Sequence, residues 1–205
     1  MFVIGITGGI GVGKTTVINI LSKMGVDVLL ADNLAHEVYP QESDSWNQIV
    51  EYFGSEILDS DNQINRKKLA DCVFTDSRAL KELNNIVHPP LKKLITSILR
   101  DKADNQVQIV LLEAAILVFA GWQDIVDEIW LVQAPRELVE NRLSNIGKFN
   151  SKDIQNRINT QMHYFDNKEF ADIIIDNSST KQSLELKINK LWEERILKRK
   201  NYEVK

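Results

Sequence analysis

Between Gly8 and Thr16 the chain reads GGIGVGKTT, and Gly8, Gly13, Lys14 and Thr15 fall on the spacing G-x-x-x-x-G-K-[ST]. Each residue type has a task in holding a phosphate chain. Glycines let the backbone take positive φ and bring its N–H groups close to phosphate oxygens. The helix that starts at the lysine adds the partial positive charge of its N-terminus. A lysine at position 14 can reach the β- and γ-phosphates, and a hydroxyl at position 15 can ligate Mg²⁺. The nucleotide contacts are therefore expected from Gly11, Val12, Gly13, Lys14, Thr15 and Thr16, with Lys14 also in a catalytic role. The bland alternative is a glycine-rich turn with a solvated lysine, and it leaves the strand-to-helix context of the motif unexplained.

The elements around the loop supply that context. Phe2–Thr7 is an apolar, β-branched run long enough for a buried strand. Lys14–Met24 carries Val17, Ile18, Ile20 and Leu21 at helical spacing, Gly25 stops it, and Val26–Leu30 reads as a second strand. Strand, helix and strand at this spacing make a βαβ unit and hence a parallel sheet. Val107–Leu112, Glu128–Val132 and Ile173–Ile175 complete five strands. Residues 31–105 are mostly helical in pattern, with helices expected over Asn33–Tyr39, Ser45–Phe53, Arg66–Phe74, Ser77–Val87 and Pro90–Lys102, and a turn at Asp59–Asn62. That stretch is too long for one crossover and reads as an insert. Pro135–Ser144 and Lys152–Tyr164, the latter capped by Ser151, flank a polar loop with Gly147, and Thr180–Lys200 is a final amphipathic helix. The expected fold is a P-loop NTPase fold of α/β class, three layers around a five-stranded parallel sheet. Its core is 1–30 and 106–205, its helical acceptor-binding insert about 31–105, and its small lid about 144–165.

Composition narrows the classes. The chain has 205 residues, 43% hydrophobic and 26% charged, enough for one compact domain with a real core. A formal net charge of -4 argues against a nucleic-acid partner. The single cysteine, Cys72, excludes an intrachain disulfide and reads as a small core residue in a reducing cytoplasm. The N-terminus lacks the pattern of a signal peptide, and no apolar stretch approaches the roughly 20 residues that span a bilayer. A soluble, cytoplasmic monomer or weak homo-oligomer is expected.

Small-molecule kinases, GTPase switches and ATPase motors all carry such a loop. A GTPase needs an N-K-x-D-type base reader, but Asn167-Lys168 and Asn189-Lys190 are followed by Glu169-Phe170 and Leu191-Trp192. A motor normally brings a larger core. Further segments then carry a resemblance over nearly the whole chain: GITGGIGVGKTTV, GVDVLLADNLAHEV, YFGSEILDSDNQINRKKLADCVF, NNIVHPPLKK, LLEAAILVFAGW and ADIIIDNSS, in that order. Together they resemble the dephospho-coenzyme A kinase family, which implies transfer of the ATP γ-phosphate to the ribose 3'-hydroxyl of dephospho-coenzyme A, with Mg²⁺. By that resemblance Asp32 is the catalytic base, lying just past the second strand where ligands meet a parallel sheet. A helix N-cap is its plain alternative. Glu113, at the end of the third strand, helps hold Mg²⁺ through water and lines the substrate site. Arg142 and Arg157 match arginines flanking the lid and could clamp phosphate, or could be helix-surface ion pairs. Arg66 and His88 match acceptor-side positions, and His88 could equally be a structural cap for the helix after it.

The chain departs from the family pattern in three places. Leu30 replaces the first Asp of D-A-D. Ile146, Gly147 and Lys148 stand where the lid reads R-D-G, so the lid arginine is lost and Lys148 offers a point charge without a planar fork. Ala115, Ile116, Leu117, Val118 and Phe119 replace P-L-L-F-E. These departures keep open a kinase for another nucleoside or small metabolite, or a non-catalytic nucleotide-binding module.

Overall fold

The computed structural model describes residues 1–147, 150–165 and 168–198. Five strands form one sheet: β1 (Phe2–Thr7), β2 (Asp27–Leu30), β3 (Ile109–Glu113), β4 (Glu128–Gln133) and β5 (Ile173–Asp176), in the order β2-β3-β1-β4-β5. The pairings of β1 with β3, β1 with β4 and β4 with β5 are parallel. Central β1 is buried along almost its whole length, as its unbroken Val-Ile-Gly-Ile-Thr run requires of a strand covered on both faces. Ile6 pairs with Glu113, so the loop leaving β1 and the carboxylate ending β3 emerge at the same edge.

The chain divides into two compact units, Met1–Leu29 with Val107–Lys205, and Leu30–Gln106. The first unit holds the sheet with helices α1 (Lys14–Ser22), α6 (Arg136–Ile146), α7 (Ser151–Phe165) and α8 (Lys181–Trp192). α1 packs on α8, and α6 on α7. Asn150, rather than Ser151, caps α7: its carboxamide oxygen accepts from the Asp153 N–H at 2.9 Å. The final helix begins as expected at its Thr180 cap, but its regular part ends at Trp192 and Glu193–Leu197 form a π turn. That turn carries Arg195 to Glu128, which is almost fully buried, at 2.8 Å. The same carboxylate accepts from the Trp130 indole at 3.0 Å. A buried charge is tolerable only when paired and hydrogen-bonded, and this one is both.

The second unit holds α2 (Ala31–Leu34), α3 (Asp44–Phe53), α4 (Arg66–Thr75) and α5 (Ser77–Asp104). Its core is Ile49, Ile57, Ile64, Leu69, Ile86 and Val87. Ser43, Asn65 and Asp76 cap α3, α4 and α5 through side-chain oxygens. Three expectations are corrected here. The two helices expected around His88 are one helix of 28 residues that runs through Pro89 and Pro90. Two lost N–H donors ordinarily break a helix, but Ala79, Ile86, Val87, Leu91, Ile95 and Leu99 keep one buried stripe on both sides of the prolines, and packing holds the axis together. The helix expected over Asn33–Tyr39 is only the four residues of α2, followed by turns. Cys72 is exposed rather than in the core, because the buried side of α4 follows Leu69 and Val73 and leaves Cys72 beyond its edge.

Candidate functional site

The Gly8–Thr16 loop turns from β1 into α1 through three left-handed or otherwise positive-φ glycines, Gly8 at 146°, Gly11 at 72° and Gly13 at 99°. Each is also a point of close approach. A Cβ on Gly8 would lie 2.3 Å from the Val132 carbonyl oxygen, and one on Gly11 would lie 3.0 Å from Val139 and 3.1 Å from Leu143 of α6. A Cβ on Gly13 would lie 2.1 Å from the Asn177 carboxamide nitrogen. The loop is thus seated against β4, α6 and the turn after β5, and only glycine fits at these seats. No side chain caps α1 at Gly13, so the first turn of the helix presents its backbone dipoles to whatever the loop binds.

Lys14 folds back over this loop. Its Nζ donates to the Gly8 carbonyl at 2.9 Å and the Gly9 carbonyl at 3.2 Å, and stands 3.8 Å from the Glu113 carboxylate. Both side chains are 14% exposed, so the pair is shielded but reachable. Thr15 is exposed at the start of α1. The described residues contain no group of three or more His, Cys, Asp or Glu that could cage a metal ion. One hydroxyl and one carboxylate suit Mg²⁺, which keeps most of its waters and takes its other ligands from substrate phosphates.

Arg142, on α6, is half-buried and faces the back of the loop. Its guanidinium donates to the carbonyls of Val12 at 3.1 Å, Gly11 at 3.5 Å and Asn177 at 3.0 Å. Asn177 is buried, and its carboxamide donates to the Val12 carbonyl at 2.8 Å. In the sequence Asn177 reads only as the end of a strand and a matched letter. Gln161, on α7, carries no signal there either, yet its side-chain oxygen accepts from the Ile10 N–H at 2.6 Å. Contacts across 165 and 151 positions leave no local pattern to read. Arg157 is half-buried on the same helix. On the neighbouring α6, Arg136 pairs with Glu140 at 2.7 Å and also meets Gln155. Hydrogen bonds, from Arg136 first and Gln155 second, hold the Glu140 carboxyl below its ordinary range. Lys148 lies outside the described residues.

Asp32, Arg66 and His88 belong to the second unit. Asp32 is exposed on the first turn of α2, whose N-cap is Leu30 and receives no side-chain hydrogen bond, so Asp32 does not cap this helix. Arg66 opens α4 behind its Asn65 cap and is exposed. Its charge acts on Tyr39, where burial pushes the phenol pKa up and the guanidinium partly offsets that rise. His88 is half-buried in α5, and burial lowers its pKa. It sits inside a continuous helix, so the helix start it was expected to cap does not exist.

The family model for dephospho-CoA kinase (CoaE) matches residues 2–183. A dephospho-CoA kinase of Dehalococcoides mccartyi is 36% identical over 196 residues, covering 96% of this chain and 98% of that protein. One from Geobacter sulfurreducens is 35% identical, covering 96% of this chain and 100% of that protein. Among solved structures, TT1252 from Thermus thermophilus superposes with a TM-score of 0.76 at 27% identity, covering 95% of this chain and 97% of that one. A dephospho-CoA kinase from Campylobacter jejuni superposes with a TM-score of 0.66 at 23% identity, covering 94% and 96%, which speaks for the fold.

Proposed function

Because the chain belongs to the dephospho-CoA kinase family, we propose that it carries out the last step of coenzyme A synthesis, moving the terminal phosphoryl group of ATP onto the ribose 3'-hydroxyl of dephospho-coenzyme A. The observation that carries this reading is the shielded lysine: Lys14 rests on the carbonyls of its own loop, 3.8 Å from Glu113, at the mouth of a glycine loop that opens a helix.

The roles follow from charge and reach. Backbone N–H groups of Gly11, Val12, Gly13, Lys14, Thr15 and Thr16 surround the β- and γ-phosphates. Lys14 exchanges the weak dipoles of two carbonyls for phosphate oxygens and stays with the phosphoryl group as it migrates. Thr15 and, through water, Glu113 hold Mg²⁺, whose charge neutralises the phosphates when it is bound. Arg142 keeps the loop in shape from behind and presents its charge toward the nucleotide, and Arg157 adds charge from α7. On the acceptor side, Asp32 orients the 3'-hydroxyl and takes its proton, while Arg66 and His88 line the acceptor pocket. The ribose oxygen bonds to the γ-phosphorus, the bond from that phosphorus to the bridging oxygen breaks, and its electron pair leaves with ADP. The proton passes to Asp32 and then to solvent.

No helix among the described residues is long and apolar enough to cross a membrane. Together with the single cysteine, this supports a small-molecule kinase working in the cytoplasm. Purified protein with ATP and Mg²⁺ should release ADP with dephospho-coenzyme A and far less with adenosine or nucleoside monophosphates. Equal release with adenosine would point to another nucleoside acceptor, and nucleotide binding without acceptor-dependent release would point to a non-catalytic module.

A further inference from the structure

The glycine loop is held unevenly. Toward β4 and α6 it is in tight van der Waals contact at Gly8 and Gly11, and toward β5 it is braced by Asn177 and Arg142. Toward α7 it is tied by a side-chain hydrogen bond. A cavity of about 300 Å³ lies beside the loop, lined by Gly9, Ile10, Val12, Val139, Ile158 and Gln161. Beside that space runs the short hydrogen bond from the Ile10 N–H to the Gln161 side-chain oxygen, at 2.6 Å. Where the backbone borders open space, a hydrogen bond of good geometry can fix it. It acts at a consequential place. Ile10 lies between Gly9, whose carbonyl holds Lys14, and Gly11, whose carbonyl receives Arg142. A shift of the Ile10 peptide would therefore disturb the rest positions of two cations of the site.

We infer that Gln161 is a positioning residue for the nucleotide loop: by accepting from Ile10 it sets the segment Gly9–Val12 in the conformation that receives the β- and γ-phosphates, and it ties α7 to that conformation. The role rests on the reading of the loop as a kinase's ATP site. It is separable from a general structural role, because Gln161 is half-buried and lines a cavity, so its acceptor oxygen can be removed without opening the core.

Gln161→Met keeps the length and the apolar stem and removes the acceptor. It should raise KM for ATP about tenfold, the upper end of what one net hydrogen bond supplies. KM for dephospho-coenzyme A should stay within about twofold, and the melting temperature within a few degrees. Gln161→Glu keeps an oxygen at the same reach. Hydrogen exchange read by NMR, without nucleotide, should find the Ile10 amide protected in the wild type and in Gln161→Glu, and released in Gln161→Met. A released Ile10 amide with unchanged KM for ATP would overturn the inference. So would equal losses for both substrates together with a large fall in melting temperature. Wild-type protein that binds ATP but transfers nothing to dephospho-coenzyme A would instead count against the proposed function, leaving the amide and ATP-binding results to judge Gln161.

Discussion

The Asn177 carboxamide nitrogen donates to the Val12 carbonyl at 2.8 Å and also occupies the space a side chain at Gly13 would need, since a Cβ there would stand 2.1 Å from it. One residue at the far end of the sheet thus both braces the phosphate loop and requires its glycine. Gly13→Ala should cut ATP affinity by about a hundredfold or more, because it adds a clash to a φ of 99°. Asn177→Ala should destabilise the protein by about 1–2 kcal/mol, the cost of a lost buried hydrogen bond. In the double variant the clash disappears but the backbone strain remains. Titration calorimetry with ATP should therefore find partial rescue of Gly13→Ala by Asn177→Ala, a coupling expected of residues in contact. Strictly additive losses would mean that the contact does not shape the loop.

Lys14→Ala removes the cation that follows the migrating phosphoryl group and should abolish transfer in the ADP-release assay. Near wild-type turnover would defeat the assignment of the site. Thr15→Ala leaves Lys14 in place and should act chiefly by raising the Mg²⁺ concentration needed for half-maximal rate.

How far the sequence could be read depends on how local each cause is. β1, the glycine loop and α1 follow from consecutive residues, and all five strands lie within a few residues of their apolar runs. The start of the last helix at Thr180 was legible from its apolar periodicity, though Thr180 proves to be the cap rather than the first helical residue. Long-range causes were not legible. Pro89 and Pro90 argue locally for a break, and only the packing of the stripe from Ile86 to Leu99 overrides them. Cys72 looked apolar by its neighbours and is exposed by the helix face it occupies. Asn177 and Gln161 act through contacts the fold makes with the loop, so letter and spacing gave no sign of their partners.

His88 gives the fold a pH dependence. Burial lowers its pKa, so the native state resists the imidazolium while the unfolded chain accepts it at the ordinary value of about 6.5. Well above that value both states hold neutral His88 and it contributes no slope. As pH falls below it, the unfolded state binds the extra proton and stability declines until the folded pKa is passed. His88→Gln should remove this component. Urea unfolding at about pH 7.5 and about pH 5.5 should show the wild type losing more stability on acidification than the variant. Equal losses would mean that His88 titrates alike in both states.

Asp32 is the residue on which the proposed chemistry turns. It is exposed on the first turn of α2, and the cap position of that helix belongs to Leu30, so its carboxylate is not spent on capping. Phosphoryl transfer through a loose transition state asks for orientation of the attacking hydroxyl first and proton removal late. Asp32→Asn keeps the shape and one acceptor oxygen but cannot take the proton. Its kcat should fall on the order of 10²-fold or more. Affinity for ATP should be nearly unchanged, because the glycine loop, Lys14 and Thr15 are untouched. Asp32→Ala also loses the orienting oxygen and should fall further, and the gap between the two variants measures positioning apart from proton transfer. Pre-steady-state quench with saturating ATP and dephospho-coenzyme A separates the chemical step from product release. If kcat for Asp32→Asn matched the wild type in that measurement, the base would lie elsewhere. If ATP binding were lost instead, Asp32 would belong to the metal or to the fold, and its role as the acceptor's base would fail.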